Sequence, residues 1–228
     1  MKTICIIPAR GGSKRIKNKN IKDFFGKPII YYSIKKAIES ECFDEIMVST
    51  DSNIIKDISL KYGAKVPFMR TDNNSGDNIA LKDVIIEVIE KYKDKGVNFD
   101  YVCCILPTSP LLNIKNIKLG IEKITSYDYV FAISPFSFPI QRSLYLKNNS
   151  AYFKYPEHIN TMSQNLETCY QDAGQFFWSN ITNLLKTKQI YSKNNYSIVL
   201  NELEVQDIDN KSDWIIAEMK YKLLTDNI

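Results

Sequence analysis

The stretch T-I-C-I-I-P-A-R-G-G-S-K-R, residues 3–15, decides how the rest of the chain is read. Residues 3–8 are a short β-branched apolar run, which predicts a buried strand, and Gly11-Gly12 ends it in a cationic loop reaching Asn20. Adjacent glycines let backbone N–H groups converge on an anion, while Arg10 offers a planar fork and Lys14 a point charge. The combination predicts a phosphate cradle; a solvated basic turn is the plain alternative. Neither the Walker A pattern G-x-x-x-x-G-K-S/T nor the dinucleotide fingerprint G-x-G-x-x-G occurs in the chain.

Outward from this loop, strands and helices alternate. Pro28 precedes a segment with Ile30, Ile34, Ala37 and Ile38 on one face, which predicts a helix, and residues 45–49 predict the next strand. Asp51 or Ser52 caps a helix running to about Tyr62, Gly63 stops it, and residues 64–69 predict another strand. Residues 78–93 carry Ile79, Val84, Ile85, Val88 and Ile89 at helical spacing. Residues 101–106 form a continuous apolar run, consistent with a strand buried on both faces. The rhythm predicts an α/β fold: a Rossmann-like, mainly parallel sheet flanked by helices, with a ligand crevice at the carboxyl ends of the strands.

The rhythm breaks over residues 135–171, which are rich in Pro, Tyr, Ser and Asn and show no clean period. A stretch this long predicts a substrate-binding or dimer-forming excursion rather than a simple loop. A strand near residues 197–200 then leads through 205–209 to a terminal helix carrying Trp214, Ala217 and Leu224.

Length and composition bound the function. At 228 residues the chain fits a single domain, 1–228, with the excursion inside it, and 44% hydrophobic residues suffice for a core, which excludes disorder. The net charge of +4 is too mild for a nucleic-acid grip but suits an anionic small substrate. Five cysteines without a C-x-x-C pair fit reduced thiols in the cytoplasm. No apolar run approaches a membrane span of about 18 residues, and no signal peptide is expected. One histidine, His158, excludes a multi-His zinc site and leaves a Ser-His-Asp hydrolase with a single candidate.

Near the far end, V-Q-D-I-D places Asp207 and Asp209 two residues apart. If extended, this piece projects both carboxylates from one face, where they can share a hard cation such as Mg²⁺; the alternative is a capping pair before the last helix. Arg70 is either a nucleotide contact or an exposed strand-end arginine. His158, beside Glu157, is either a titratable site group or a loop histidine. Phe176, Phe177 and Trp178 are consecutive, must point in different directions, and read as core.

With these residues laid out, the sequence resembles the cytidylyltransferases that activate nonulosonic acids, the family of CMP-sialic acid synthetases. I-P-A-R-G-G-S-K (7–14), K-N (19–20), G-K-P (26–28), S-T-D (49–51), P-T-S-P (107–110) and D-I-D (207–209) occur in family order. S-P-F-S (134–137), Q-R-S (141–143), Y-P-E-H (155–158), S-Q-N-L (163–166), D-A-G-Q-F-F-W (172–178) and L-E-V-Q-D-I-D (203–209) resemble the pseudaminic acid branch. Sialic acid synthetases usually carry glutamine where this chain has Leu106, and Y-R-P-N-G where it has D-A-G-Q, so a different sugar is implied.

The resemblance implies a nucleotidyltransferase fold and transfer of CMP from CTP to the sugar acid, for cell-surface glycan or flagellin glycosylation. It implies that Gly11, Gly12, Ser13 and Lys14 cradle the triphosphate, that Arg10 braces the α-phosphate, and that Asp207 and Asp209 hold Mg²⁺. Arg10, Lys14 and Asp209 are the expected catalytic groups. Ala9, Asn20, Arg70 and Asp77 are the expected nucleoside contacts, and Gln141, Arg142, Glu157, His158, Asp172 and Gln175 the sugar contacts. Relatives of the pseudaminic type often have arginine where Met162 stands, so the sugar carboxylate is assigned to Arg142. A homodimer is implied; no nucleic-acid or membrane partner is. Legionaminic acid, sialic acid or ketodeoxyoctonate as acceptor, and a nonenzymatic sensor on the same scaffold, are the alternatives.

Overall fold

A computed structural model describes residues 1–76 and 78–226. In chain order the elements are β1 (Thr3–Pro8), the two-residue strands β2 (Asp23–Phe24) and β3 (Lys27–Pro28), α1 (Ile30–Ser40), β4 (Glu45–Ser49), α2 (Asn53–Lys61), α3 (Leu81–Asp94) and β5 (Tyr101–Ile105). Then follow α4 (Ile114–Ile124), β6 (Tyr129–Pro135), β7 (Leu144–Lys147), β8 (Ser150–Phe153), β9 (Tyr170–Asn180), α5 (Ile181–Thr187), β10 (Asn195–Val199) and α6 (Lys211–Thr225). Six strands form one sheet in the order β10-β6-β9-β5-β1-β4. Every neighbouring pair is parallel except those made by β9, which runs antiparallel between β5 and β6.

The apolar run of β1 explains the layering. Successive side chains of a strand point to opposite faces. Cys5 and Ile7 therefore enter one core and Ile4 and Ile6 the other. On the first face α1 and α4 contribute Ile30, Ile34, Ala37, Ile117 and Ile124; on the second, α3 and α5 contribute Ile85, Val88, Ile89, Ile181 and Leu184. A third cluster joins Phe24, Ile29 and Tyr32 to Ile208 and the α6 residues Trp214 and Ala217. It fixes the last segment of the chain against the loop that follows β1.

Several expectations are corrected. Residues 64–69 make a single bridge, Met47 to Lys65, because Pro67 has no N–H to continue the ladder. Helix α3 begins at Leu81 rather than at residue 78, and Pro28 lies in β3, outside the first turn of α1. Ile38 and Leu224, expected in helix–core contacts, are each 42% exposed. Strand β9 was not anticipated: Gly174, at φ +60°, sits near a register shift against β6 that interrupts the alternation. The consecutive aromatics do divide as expected, Phe176 and Trp178 on one face and Phe177 on the other. The excursion holds the β7–β8 hairpin and short 3₁₀ turns outside the main sheet.

Trp178 is fully buried and stacks on Phe43 with ring centroids 5.2 Å apart. Its indole lies against Gly120 of α4, where an added Cβ would come within 2.5 Å of Trp178 Cδ1. Glycine to alanine in a helix ordinarily gains about 1 kcal/mol. Here overpacking against a sealed indole, typically about 1–3 kcal/mol, outweighs that gain. Gly120→Ala is expected to lower the Tm by several degrees in thermal unfolding; an unchanged or higher Tm would show that the indole can shift freely.

Candidate active site

A sheet of this topology places its crevice by strand order. From β1 the chain goes to β4 on one side, whereas β5 lies on the other, so a crevice forms outside the carboxyl ends of β1 and β5. A cleft of about 340 Å³ opens there, bordered by Pro8 at the end of β1 and by Leu106, Pro107 and Thr108 after β5. Among the described residues its lining includes five cationic side chains, Arg10, Lys14, Arg15, Lys19 and Arg70, and two carboxylates, Asp207 and Asp209. That balance suits a polyanion.

Asp207 and Asp209 reach the cleft because Ile208 between them is fully buried in the third cluster. In extended chain the flanking side chains point the other way. Lys19 then closes the junction: its Nζ donates to the Ile208 carbonyl at 2.5 Å and lies 3.8 Å from Asp209. Arg15 pairs with Asp209 at 2.7 Å. Burial pulls the Lys19 ammonium below its ordinary range, and Asp209 and Asp207 offset only part of that. Burial pushes the Asp207 carboxyl upward, and repulsion from Asp209 adds to it.

Two carboxylates facing one cleft from an extended segment fit a hard divalent cation, which keeps water and phosphate oxygens as its other ligands. No group of three or more His, Cys, Asp or Glu placed to hold a metal occurs among the described residues. A cation at Asp207 and Asp209 would therefore take its remaining oxygens from water or a bound ligand.

The loop after β1 is braced from within. The Gly11 N–H donates to Asp51 Oδ1 at 2.7 Å, so this amide is engaged by a carboxylate instead of pointing freely at an anion. Asn20 is buried and donates to the Arg10 carbonyl at 2.9 Å, holding the loop as well as lining the cleft. Around Gly12 an added Cβ would meet nothing within 4 Å, which leaves its backbone approachable. Ser13 borders the cleft. Ala9 is fully buried, and its N–H donates to the Ser49 carbonyl at 2.9 Å, so its side chain does not face the cleft. Arg70 is buried, not an exposed strand end: its guanidinium donates to Ser49 Oγ at 3.0 Å and to the Ser49 carbonyl at 2.6 Å while bordering the cleft. Asp77 lies outside the described residues.

The expected sugar contacts do not assemble at this cleft. Gln141 donates to the Glu167 carbonyl at 2.9 Å, Arg142 to the Thr161 carbonyl at 2.6 Å, and Glu157 and His158 sit in a 3₁₀ turn of the excursion. Gln175 is buried and donates to the Glu204 carbonyl. Only Asp172 of this set borders a cavity next to the cleft. That second cavity, of about 450 Å³, is lined by Ser134, Gln171, Asp172, Gln206 and Lys220, and it meets the first at Asp207. Arg15, Lys19 and Thr108 were not assigned site roles from the sequence, and Asp51 was read only as a candidate helix cap, a place that Ser52 takes. The first two sit in the cationic loop and the others in S-T-D and P-T-S-P, but only the folded contacts single them out.

Residues 4–205 match the family described as cytidylyltransferase. The chain belongs to the cytidylyltransferase family. It is 41% identical over 226 residues to pseudaminic acid cytidylyltransferase of Campylobacter jejuni, covering 98% of this chain and 97% of that one. It is 32% identical to CMP-N,N'-diacetyllegionaminic acid synthase of Legionella pneumophila, at 98% and 97% coverage. A solved CMP:2-keto-3-deoxy-manno-octonic acid synthetase complexed with CTP shares the fold, with a TM-score of 0.70 over the full length of both chains at 16% identity. The nucleotidyltransferase fold expected from the sequence is therefore established. The cytidylyltransferase match ends at residue 205, and the acidic pair just beyond it lines the cleft.

The raised pKa of Asp207 carries a sign. The folded state binds this proton more tightly than the unfolded state, so stability falls as pH rises from the ordinary carboxylate range through the raised value. Asp207→Asn removes the cost of charging. With chelator present, the variant is expected to lose that slope and to melt higher at neutral pH by no more than about 2 °C, because the carboxyl is only partly withdrawn from solvent and solvent screens the cost of charging it. A lower Tm would show that the Asp207 carboxylate stabilises the free protein.

Proposed function

We propose that this chain transfers CMP from CTP to pseudaminic acid, releasing pyrophosphate, with Mg²⁺ held at Asp207 and Asp209. The observation that carries the reading is the meeting of the cationic loop 10–19 with the two carboxylates in one cleft at the carboxyl ends of β1 and β5. The likeness to the pseudaminic acid relative along the whole chain supports the choice of acceptor over legionaminic acid. In the reaction the anomeric hydroxyl oxygen bonds to the α-phosphorus, the bond from that phosphorus to the β-phosphate bridging oxygen breaks, and the hydroxyl proton is lost. Such transfer depends on positioning and on neutralising oxyanion charge more than on covalent help. Arg10 and Lys14 would receive the phosphate oxygens, and Arg70 and Asn20 would face the nucleoside side. When bound, Mg²⁺ supplies further neutralisation of phosphate charge.

The second cavity is the acceptor site in this reading. Asp207, common to both cavities, stands where the two substrates meet, and Asp172 and Gln206 offer partners to the hydroxyl and amide groups of a sugar. A homodimer formed through the excursion is part of the proposal. Phe138, Leu144, Leu146 and Met162 there are each more than half exposed, an apolar surface of the kind that marks an interface. Through such a dimer Gln141, Arg142, Glu157 and His158 would serve a partner's acceptor site. All five cysteines are free thiols, which supports a reducing, cytoplasmic setting, and no described helix is long and apolar enough to cross a membrane.

Arg10→Ala and Asp209→Ala are each expected to lower turnover by about a hundredfold to a thousandfold, the usual effect of losing a preorganised charge stabiliser, with the fold intact by circular dichroism. Pyrophosphate release is the readout, with CTP and a panel of pseudaminic, legionaminic, sialic and ketodeoxyoctonic acids. Turnover of sialic but not pseudaminic acid would overturn the acceptor. CTP binding without turnover of any acid would favour a sensor.

A further inference from the structure

Helix α3 does more at the cleft than cover the sheet. Glu87 and Lys91, one turn apart on it, form an ion pair of 2.6 Å, with Glu87 only 11% exposed. The remaining bonds of both side chains go to one segment. Glu87 accepts from the Thr71 N–H at 3.0 Å and from Asn74 Nδ2 at 2.6 Å, and Lys91 Nζ donates to the Met69 carbonyl at 2.9 Å. These three bonds bracket Arg70, gripping the residue before it, the residue after it and the wall residue Asn74. Arg70 and Asn74 line the cleft; Glu87 and Lys91 do not.

The segment has little else of its own. Its regular structure is one 3₁₀ turn, Asp72–Asn74, and Arg70 is tied across to the end of β4 through Ser49 and to the next residue through the Thr50 carbonyl at 2.8 Å. Burial pushes the Glu87 carboxyl up, but hydrogen bonds from Lys91, Asn74 and Thr71 outweigh it and hold the group below its ordinary range. As an anion Glu87 offers acceptor sites to all three donors at once; a glutamine has one oxygen to share among them.

We infer that Glu87 and Lys91 are positioning residues for nucleotide binding: together they hold segment 69–74 so that Arg70 and Asn74 present a ready-made wall to CTP. The inference rests on the reading of the cleft as the CTP site. Ordering the wall in the free protein removes that cost from binding, so its loss appears in CTP affinity before it appears in the chemical step.

The test compares wild type, Glu87→Gln, Lys91→Met and the double variant, with Glu90→Gln as control. Glu90 faces Lys188 at 3.4 Å on the exposed side of the same helix. CTP binding is measured by calorimetry, and turnover with CTP and pseudaminic acid by pyrophosphate release. Glu87→Gln is expected to raise both Kd and KM for CTP on the order of tenfold, as for a lost charged hydrogen-bond partner. Turnover number and KM for the acid stay within about twofold, and the double variant is little worse than the worse single variant, as for two parts of one device. Glu90→Gln behaves as wild type. Unchanged CTP affinity in folded Glu87→Gln overturns the inference, as does a fall in turnover number with KM for CTP unmoved, the mark of a merely unfolded fraction. If Glu87→Gln does not fold, Lys91→Met carries the same comparison. Failure of the wild type itself to bind CTP overturns the nucleotide reading, and this inference with it.

Discussion

Lys19 joins the two ends of this molecule. Its ammonium group donates to the carbonyl of Ile208, 189 residues away, and stands beside Asp209. Half-buried, it meets partners on a segment that local sequence cannot place. The exposed pair of Arg15 with Asp209 is worth little by itself, since solvent screens it. The joint holds because the third apolar cluster seats Ile208 and α6 against Phe24, Ile29 and Tyr32, so that packing sets the position and charge sets the orientation. Without that seat the acidic pair would hang in solvent, and the loop after β1 would be the plain basic turn it resembles in isolation.

The same economy governs the rest of the cleft. β1 supplies a loop whose shape is held by Asp51 and Asn20, groups from elsewhere in the chain or later in the loop. β5 supplies the opposite rim, and the wall between them is carried by α3 through side chains that never face the ligand space. Asp51, Glu87 and Lys91 thus brace the loop and the wall without lining the cleft themselves. This arrangement keeps five cations and two anions close together in a protein whose net charge is only +4.

Much of this was legible in the sequence, for identifiable reasons. The buried runs of β1 and β5 are apolar on both faces, and such runs are continuous enough to read without partners. Asp207 and Asp209 were legible as a pair because a strand-like period of two fixes their relative direction, and buried Ile208 enforces it. β9 was hidden because its period is broken at Gly174 and because an antiparallel insertion between parallel strands leaves no local mark. Residues 64–69 read as a strand by composition, whereas the loss of one donor at Pro67 decided otherwise. Gln141 and Arg142 were drawn to the site by resemblance alone, and His158 beside Glu157 also as the lone titratable imidazole; in the single chain they satisfy their own loop or stay apart from the cleft. Glu87 and Lys91 carry no motif. Their role emerges only when Met69, Thr71 and Asn74 are seen folded onto α3.

A structure of the protein bound to CTP and magnesium bears most directly on the central claim. The account predicts the triphosphate between the 10–15 loop and the carboxylates of Asp207 and Asp209, with the cation touching both the phosphates and at least one of those side chains. A nucleotide seated elsewhere, or one whose phosphates leave Asp207 and Asp209 untouched, would contradict it.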